Sequence, residues 1–148
     1  MAINPQIQQG TLNRVRCSVV VPSNSALNIA SSYMGQSFAS LEFEGSFSDQ
    51  IMTATGVVNS PEPYVMASIS VGLLRTQALS SAWLAQAQTQ SDVGDITIHS
   101  DSAAYGYITI SNCVISTYNP GAFDGKDPVV RLSLRGVLYS NNALWDMI

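Results

Sequence analysis

Charge is what this sequence has least of. Only 16 of its 148 residues are Asp, Glu, Lys or Arg, 11% of the chain, where a soluble domain carries roughly 25%. Ser, Thr, Asn, Gln, Ala and Gly take the vacant places. Solitary soluble proteins keep charges of both signs interspersed over their surface, whereas the centres of protein interfaces are depleted of charge. The composition therefore points to self-assembly. Long apolar runs are also missing, although 46% of residues are hydrophobic. The longest stretch, Cys17 to Pro22, is interrupted by Ser18, against the ~18 consecutive residues of a membrane-spanning helix. Met1 to Gly10 has neither the basic start nor the apolar stretch of a secretory signal, so synthesis in a cytosol is expected.

Positive charge is scarcer still. The six basic residues, Arg14, Arg16, Arg75, Lys126, Arg131 and Arg135, are scattered, and the net charge is -4. No basic stripe is available to neutralise phosphates. That argues against a specific grip on nucleic acid but not against passive containment of it. Two cysteines and one histidine leave little for redox or metal chemistry, since there is no CxxC pair. Cys17 and Cys113 sit in β-branched runs and read as small buried hydrophobes.

What is present is mostly strand-like. Residues 12 to 21 alternate, with Val15, Cys17, Val19 and Val21 on one face. Asn24 and Ser25 suggest a turn before a shorter strand from Leu27 to about Ser32, and Tyr33 to Ser37 reads as a loop around Gly35. The clearest alternation is Phe38 to Ser48, with Leu41, Phe43, Gly45 and Phe47 opposite Ser40, Glu42, Glu44, Ser46 and Ser48. Asp49 to Pro63 is punctuated by Gly, Ser and Pro, with a further strand or turn expected in Gln50 to Val58. Tyr64 to Leu74 has apolar residues on both faces, which suggests a central strand or a subunit contact. Thr76 to Gln90 turns to Ala, Leu and Gln. Leu79, Ala82, Trp83 and Gln86 fall on one helical face, with Thr76 as N-cap and Gly94 as stop. Strands follow at Asp95 to His99, at Tyr105 to Tyr118 with Ile108, Ile110, Asn112 and Val114 on one side, and at Val129 to Tyr139. The order predicts one α+β domain over residues 1–148, mainly β. Its expected form is an antiparallel β-sandwich or barrel-forming sheet with one flanking helix.

Catalytic chemistry finds little support. His99 lies among Asp95, Asp101, Ser100 and Ser102, but strand alternation puts it opposite Ile96 and Ile98, as a polar-face or turn residue. Neither GxSxG nor GxxxxGK[ST] occurs. Asn119, Asp124 and Asp127 lack the alternating oxygen ligands of a Ca²⁺ loop. No catalytic, cofactor-binding or metal residue is expected, and the chain does not read as an enzyme. Glu42 and Glu44 share a strand face, which suits either solvent or a cavity wall that repels polyanions. Leu144, Trp145, Met147 and Ile148 are costly unless docked, on the chain's own core or on a neighbouring copy.

In this order the pieces resemble the tail tube proteins of contractile-tailed bacteriophages. The resemblance is carried by the Val-rich strand at Val15 to Val21, the acidic alternation Leu41-Glu42-Phe43-Glu44-Gly45-Ser46-Phe47, and the single Ala-rich helix after a long strand. The closing pair Gly106 to Cys113 and Asp127 to Gly136 completes it. It implies a sandwich protomer assembled, six to a ring, into stacked rings whose lumen conducts double-stranded genomic DNA, in a virion tail built in the host cytoplasm. Related architectures are type VI secretion tubes and phage-derived particles. Tail sheath, baseplate, tape measure and tail terminator proteins are the implied partners. On this reading Glu42 and Glu44 face the lumen. Tyr33, Met34 and Gly35, with Leu144, Trp145, Met147 and Ile148, make inter-subunit contacts. A ring-forming terminator, baseplate or secretion-tube subunit is the alternative, and a small β-barrel enzyme or ligand carrier a more distant one.

Overall fold

Six strands hydrogen-bond into one antiparallel sheet, in the computed structural model described here for residues 5–36 and 38–145. They are β1 (Ser18–Val20), β2 (Ser40–Glu44), β5 (Tyr64–Leu74), β6 (Asp92–His99), β7 (Tyr107–Asn119) and β8 (Val129–Tyr139), in spatial order β1-β6-β7-β8-β5-β2. Two more, β3 (Ser48–Met52) and β4 (Val57–Pro61), form a separate hairpin between β2 and β5. The helices are α1 (Ala78–Thr89) and a single turn, α2 (Asn142–Trp145). The α+β, mainly β architecture expected from the sequence is present as one sheet curled into a half-barrel.

The concave side holds the core. Ala67, Ile69, Val71 and Leu73 of β5 meet Val130, Leu132 and Leu134 of β8, Ile110 and Cys113 of β7, Val93 and Ile96 of β6, and Val19 of β1. Alternation carries this arrangement, since every second side chain of a strand points to the same face. Only one face of β5 is core. The other bears Tyr64, Met66, Ser68, Ser70, Gly72 and Leu74, so apolar residues do stand on both sides, and β5 lies inside the sheet between β8 and β2 as expected of a central strand. Helix α1 adds Leu79 and fully buried Trp83 to this core, and Tyr118 Oη donates to the Ser80 carbonyl at 2.9 Å. Its N-cap is Gln77, not Thr76, and Gly94 lies inside β6 at positive φ rather than at the helix end.

Other expectations change where tertiary contacts overrule local pattern. The long first strand shrinks to Ser18–Val20, because β6 offers partners only at Thr97, Ile98 and His99, and Leu12 and Val15 are exposed. The shorter strand after it is replaced by two 3₁₀ turns, Ser25–Leu27 and Ser31–Tyr33, with one bridge between Ile29 and Val19. In β7 a bulge interrupts the alternation. Ile110 and Cys113 both point inward, which turns Asn112 and Val114 outward. Asn112 takes φ 53°, and its amide donates to Asp95 Oδ1 at 3.2 Å. Opposite the bulge sits Gly136, where a Cβ would lie 2.5 Å from Ile110 Cγ2 and 2.6 Å from Cys113 Sγ.

Candidate functional site

The convex face of the sheet is built from small polar side chains. Register aligns Ser40 with Ser70 and Ser133, and Glu42 with Ser68 and Arg135. Thr97 pairs with Thr109 on the same side, their hydroxyls 3.4 Å apart. Glu42 and Glu44 both lie exposed here, as alternation predicts. The face is nonetheless not simply acidic, because Arg131 and Arg135 of β8 emerge on it too. Arg135 extends over β5 to Glu44, Nη2 to Oε2 2.5 Å, with both side chains a little under half exposed. Sequence spacing hides this pair, since 91 residues separate its members.

The two ends of the half-barrel differ. The end of β2, the starts of β5 and β7 and the ends of β6 and β8 share one rim, and the β3–β4 hairpin leaves the sheet there. Exposed apolar residues concentrate at this rim: Phe47, Tyr64, Tyr105, Tyr107, Tyr139, Leu144 and Trp145. In the hairpin Ile51 pairs with Val58 on one face and Met52 with Val57 on the other. These four are 55, 53, 85 and 60% exposed respectively. The turn is closed by Thr53, whose amide and hydroxyl both donate to the Gly56 carbonyl. Sequence reading anticipated a strand or turn here but not an apolar prong. The signal was the two apolar pairs, Ile51-Met52 and Val57-Val58, set symmetrically about Thr-Ala-Thr-Gly.

Chain reversal after β8 places the C-terminal turn beside the hairpin base. Asn141, at φ 55°, donates from Nδ2 to the carbonyls of Phe47 at 3.0 Å and Glu62 at 2.8 Å. Ser140 Oγ donates to the Glu62 carbonyl at 2.6 Å, and Trp145 Nε1 to the Ser140 carbonyl at 2.9 Å. The indole is thus oriented while its rings stay exposed. Met147 and Ile148 lie outside the described residues. Of the second expected contact segment, Tyr33 is exposed. Met34 and Gly35 are buried within the chain, where Met34 bridges Leu73 and the Gly35 amide donates to the Gly72 carbonyl at 2.9 Å.

Side chains with chemical potential are occupied structurally. His99 packs on the Tyr107 ring at 5.9 Å, and Ser100 Oγ donates to Asp101 Oδ1 at 3.3 Å. Asn119, Asp124 and Asp127 each accept from a backbone amide two residues on, which spends them in local turns. Among the described residues no group of three His, Cys, Asp or Glu is placed to hold a metal ion. Cys17 and Cys113 are free, buried thiols. Burial pushes the Cys113 thiol up to about 12, with the Asp95 carboxylate adding to the effect. Arg75 organises the loop after β7, donating to the Pro120 and Ala122 carbonyls and lying 4.8 Å from the centre of the Phe123 ring.

No known protein family matches the chain, and no curated protein matches it. Among solved structures similar to the chain is one that matches it over most of its length. It is described as a cryo-EM structure of the anti-feeding prophage cap, the tube-terminating cap of that particle. Identity is 16%, the match covers 95% of this chain and 100% of that one, and the TM-score is 0.49.

Proposed function

We propose that this chain is a non-enzymatic structural subunit of a phage-type tail. Copies join side by side into hexameric rings, and rings stack into a tube that conducts double-stranded DNA during ejection. The observation that carries this reading is the polarised surface. One rim of the half-barrel bears the apolar hairpin and a set of exposed aromatics, on a chain otherwise poor in charge. An apolar prong at one end only suits a heterologous contact, which repeats along an axis without closing. Trp145, Leu144 and Tyr33 add exposed apolar area for contacts between copies.

The convex face suits a channel wall. Its serines and threonines offer hydration without charge, and the Glu44–Arg135 pair cancels itself. Glu42 and Arg131 are exposed on the same face, one charge of each sign. Such a wall gives a polyanion little to bind and so lets it pass. Sheath, baseplate, tape measure and terminator proteins are the partners of a subunit of this kind, in a virion tail assembled in the host cytoplasm.

Electron microscopy of the purified protein tests the reading. Long hollow tubes are expected. Isolated rings favour a terminator, baseplate or cap role, and a persistent monomer overturns assembly altogether. Glu42→Lys with Glu44→Lys, introduced into assembled particles, slows DNA release while leaving rings intact; unchanged release removes the lumen assignment.

A further inference from the structure

A cleft opens on the convex face where β2 begins. Met34 bridges Leu73 and Ser40 pairs with Ser70, so the chain between them is longer than the stretch of β5 it passes. The result is a concavity of about 300 Å³, with Gln36 and Ser40 on one wall, Ser70 and Gly72 beneath, and Arg131 and Ser133 on the other wall. Register explains the arrangement. Ser40, Ser70 and Ser133 form one row across β2, β5 and β8, and Gly72 stands opposite Arg131 in the next row on that face. Having no side chain, Gly72 leaves open the space beside the guanidinium.

The polar groups of this cleft are unspent. Among the described residues the Arg131 guanidinium, the three serine hydroxyls and the Gln36 side-chain amide make no hydrogen bond or ion pair within the chain, whereas Arg135 is held by Glu44. None of the described lining residues is acidic. The lining therefore joins one fixed cation to hydroxyl and amide donors, the combination that recognises an oxyanion. Neighbouring strands lie about 4.8 Å apart, so Ser70 and Ser133 approach a small anion from two directions while the guanidinium fork meets it from a third. A tetrahedral oxyanion uses all three; a planar carboxylate uses the fork alone.

We propose that this cleft binds a phosphate-type oxyanion, free or esterified in a nucleic-acid backbone, through Arg131, Ser70 and Ser133, with Gln36 and Ser40 closing the far side. Glu42 lies two residues beyond Ser40 on the same face, and its charge keeps the affinity low. Weak, fast exchange of phosphates is compatible with a wall past which a polyanion slides. The anion site is a property of the single chain; only its occupation by DNA rests on the tube reading.

Phosphorus NMR of the full chain tests it. Inorganic phosphate is titrated against the protein at fixed ionic strength, and its transverse relaxation reports exchange with a bound state. Saturable broadening is expected. Arg131→Gln, and separately Ser70→Ala with Ser133→Ala, weaken binding about tenfold or more, as loss of charge-assisted hydrogen bonds implies. Arg14→Gln, which removes the same charge outside the cleft, leaves it unchanged. These positions lie outside the core, so circular dichroism and melting stay as in the unaltered chain. Broadening that does not saturate, that survives Arg131→Gln, or that falls equally in Arg14→Gln overturns the site, and equal displacement by acetate overturns its preference for a tetrahedral anion. Two further arms separate the sources. Dimethyl phosphate and short duplex DNA displace inorganic phosphate if the backbone phosphodiester is the natural occupant. If both leave it bound, the site takes free phosphate, and the anion site stands while its link to a DNA channel fails.

Discussion

Arg135 and Glu44 meet diagonally across an intervening strand, Nη2 to Oε2 2.5 Å: Arg135 lies in the row of Ser68 and Glu42, and Glu44 in the neighbouring row of Met66 and Val137. Both partners are nearly half exposed, so the pair contributes little to folding. Glu44→Gln is expected to change unfolding free energy by less than about 1 kcal/mol, with the difference shrinking as salt rises. Denaturant titrations at low and high ionic strength check this; a large, salt-independent loss contradicts it.

Gly136 is required by proximity rather than by backbone conformation. Its hydrogen faces Ile110 and Cys113 across the β7 bulge, and the Ser111 carbonyl lies 3.1 Å from where a Cβ would stand. Gly136→Ala overpacks this site and is expected to cost about 1–3 kcal/mol. Urea denaturation measures it, and wild-type stability in the variant means that the bulge relaxes freely.

Cys113 sets an alkaline limit. Its thiol stays protonated in the folded chain to about pH 12 through burial, against an ordinary value of 9.0. The unfolded chain loses that proton first, so stability falls as pH rises from about 9 toward 12. Replacing Cys113 by Ala flattens this slope. Thermal melts of both proteins between pH 7 and 10.5 decide the matter, and parallel curves count against a role for the thiol.

Arg75→Lys is predicted to fail as a conservative change. The guanidinium serves two carbonyls and the Phe123 ring together, a geometry that an ammonium cannot reproduce. A loss of about 1–2 kcal/mol is expected from charge-assisted hydrogen bonds of this type, with faster proteolysis in residues 119–128. Unaltered cleavage there would show that the loop holds itself.

The hairpin tip should matter to assembly and not to folding. Ile51→Asp and Val58→Asp remove apolar area that the protomer leaves exposed. Melting is expected to shift by no more than about 0.5 kcal/mol in stability, while sedimentation velocity reports loss of the large species. Assembly that persists moves the contact elsewhere on the rim.

Much of the protomer was legible because its cause is local. Strand β5 matches the span expected from its run of apolar residues on both faces, and β8 the span expected from its alternation. Helix α1 followed from composition and from Leu79 and Trp83 sharing a face. Errors gathered where partners were decisive. Leu12 and Val15 alternate correctly, yet no neighbouring strand extends that far, so pattern alone did not make a strand. In β7 the sequence alternates through Asn112, but packing against Gly136 inserts a bulge and reverses the later residues.

By itself the sequence determined a charge-poor, strand-dominated chain with Glu42 and Glu44 on one face, because composition and alternation are properties of neighbours along the chain. Only the tertiary structure decided that Arg135 joins Glu44, that Met34 and Gly35 turn inward, and that an apolar hairpin shares one rim with a set of exposed aromatics. Those relationships depend on strand order, which is set by which edges meet in space, and spacing along the chain does not record it.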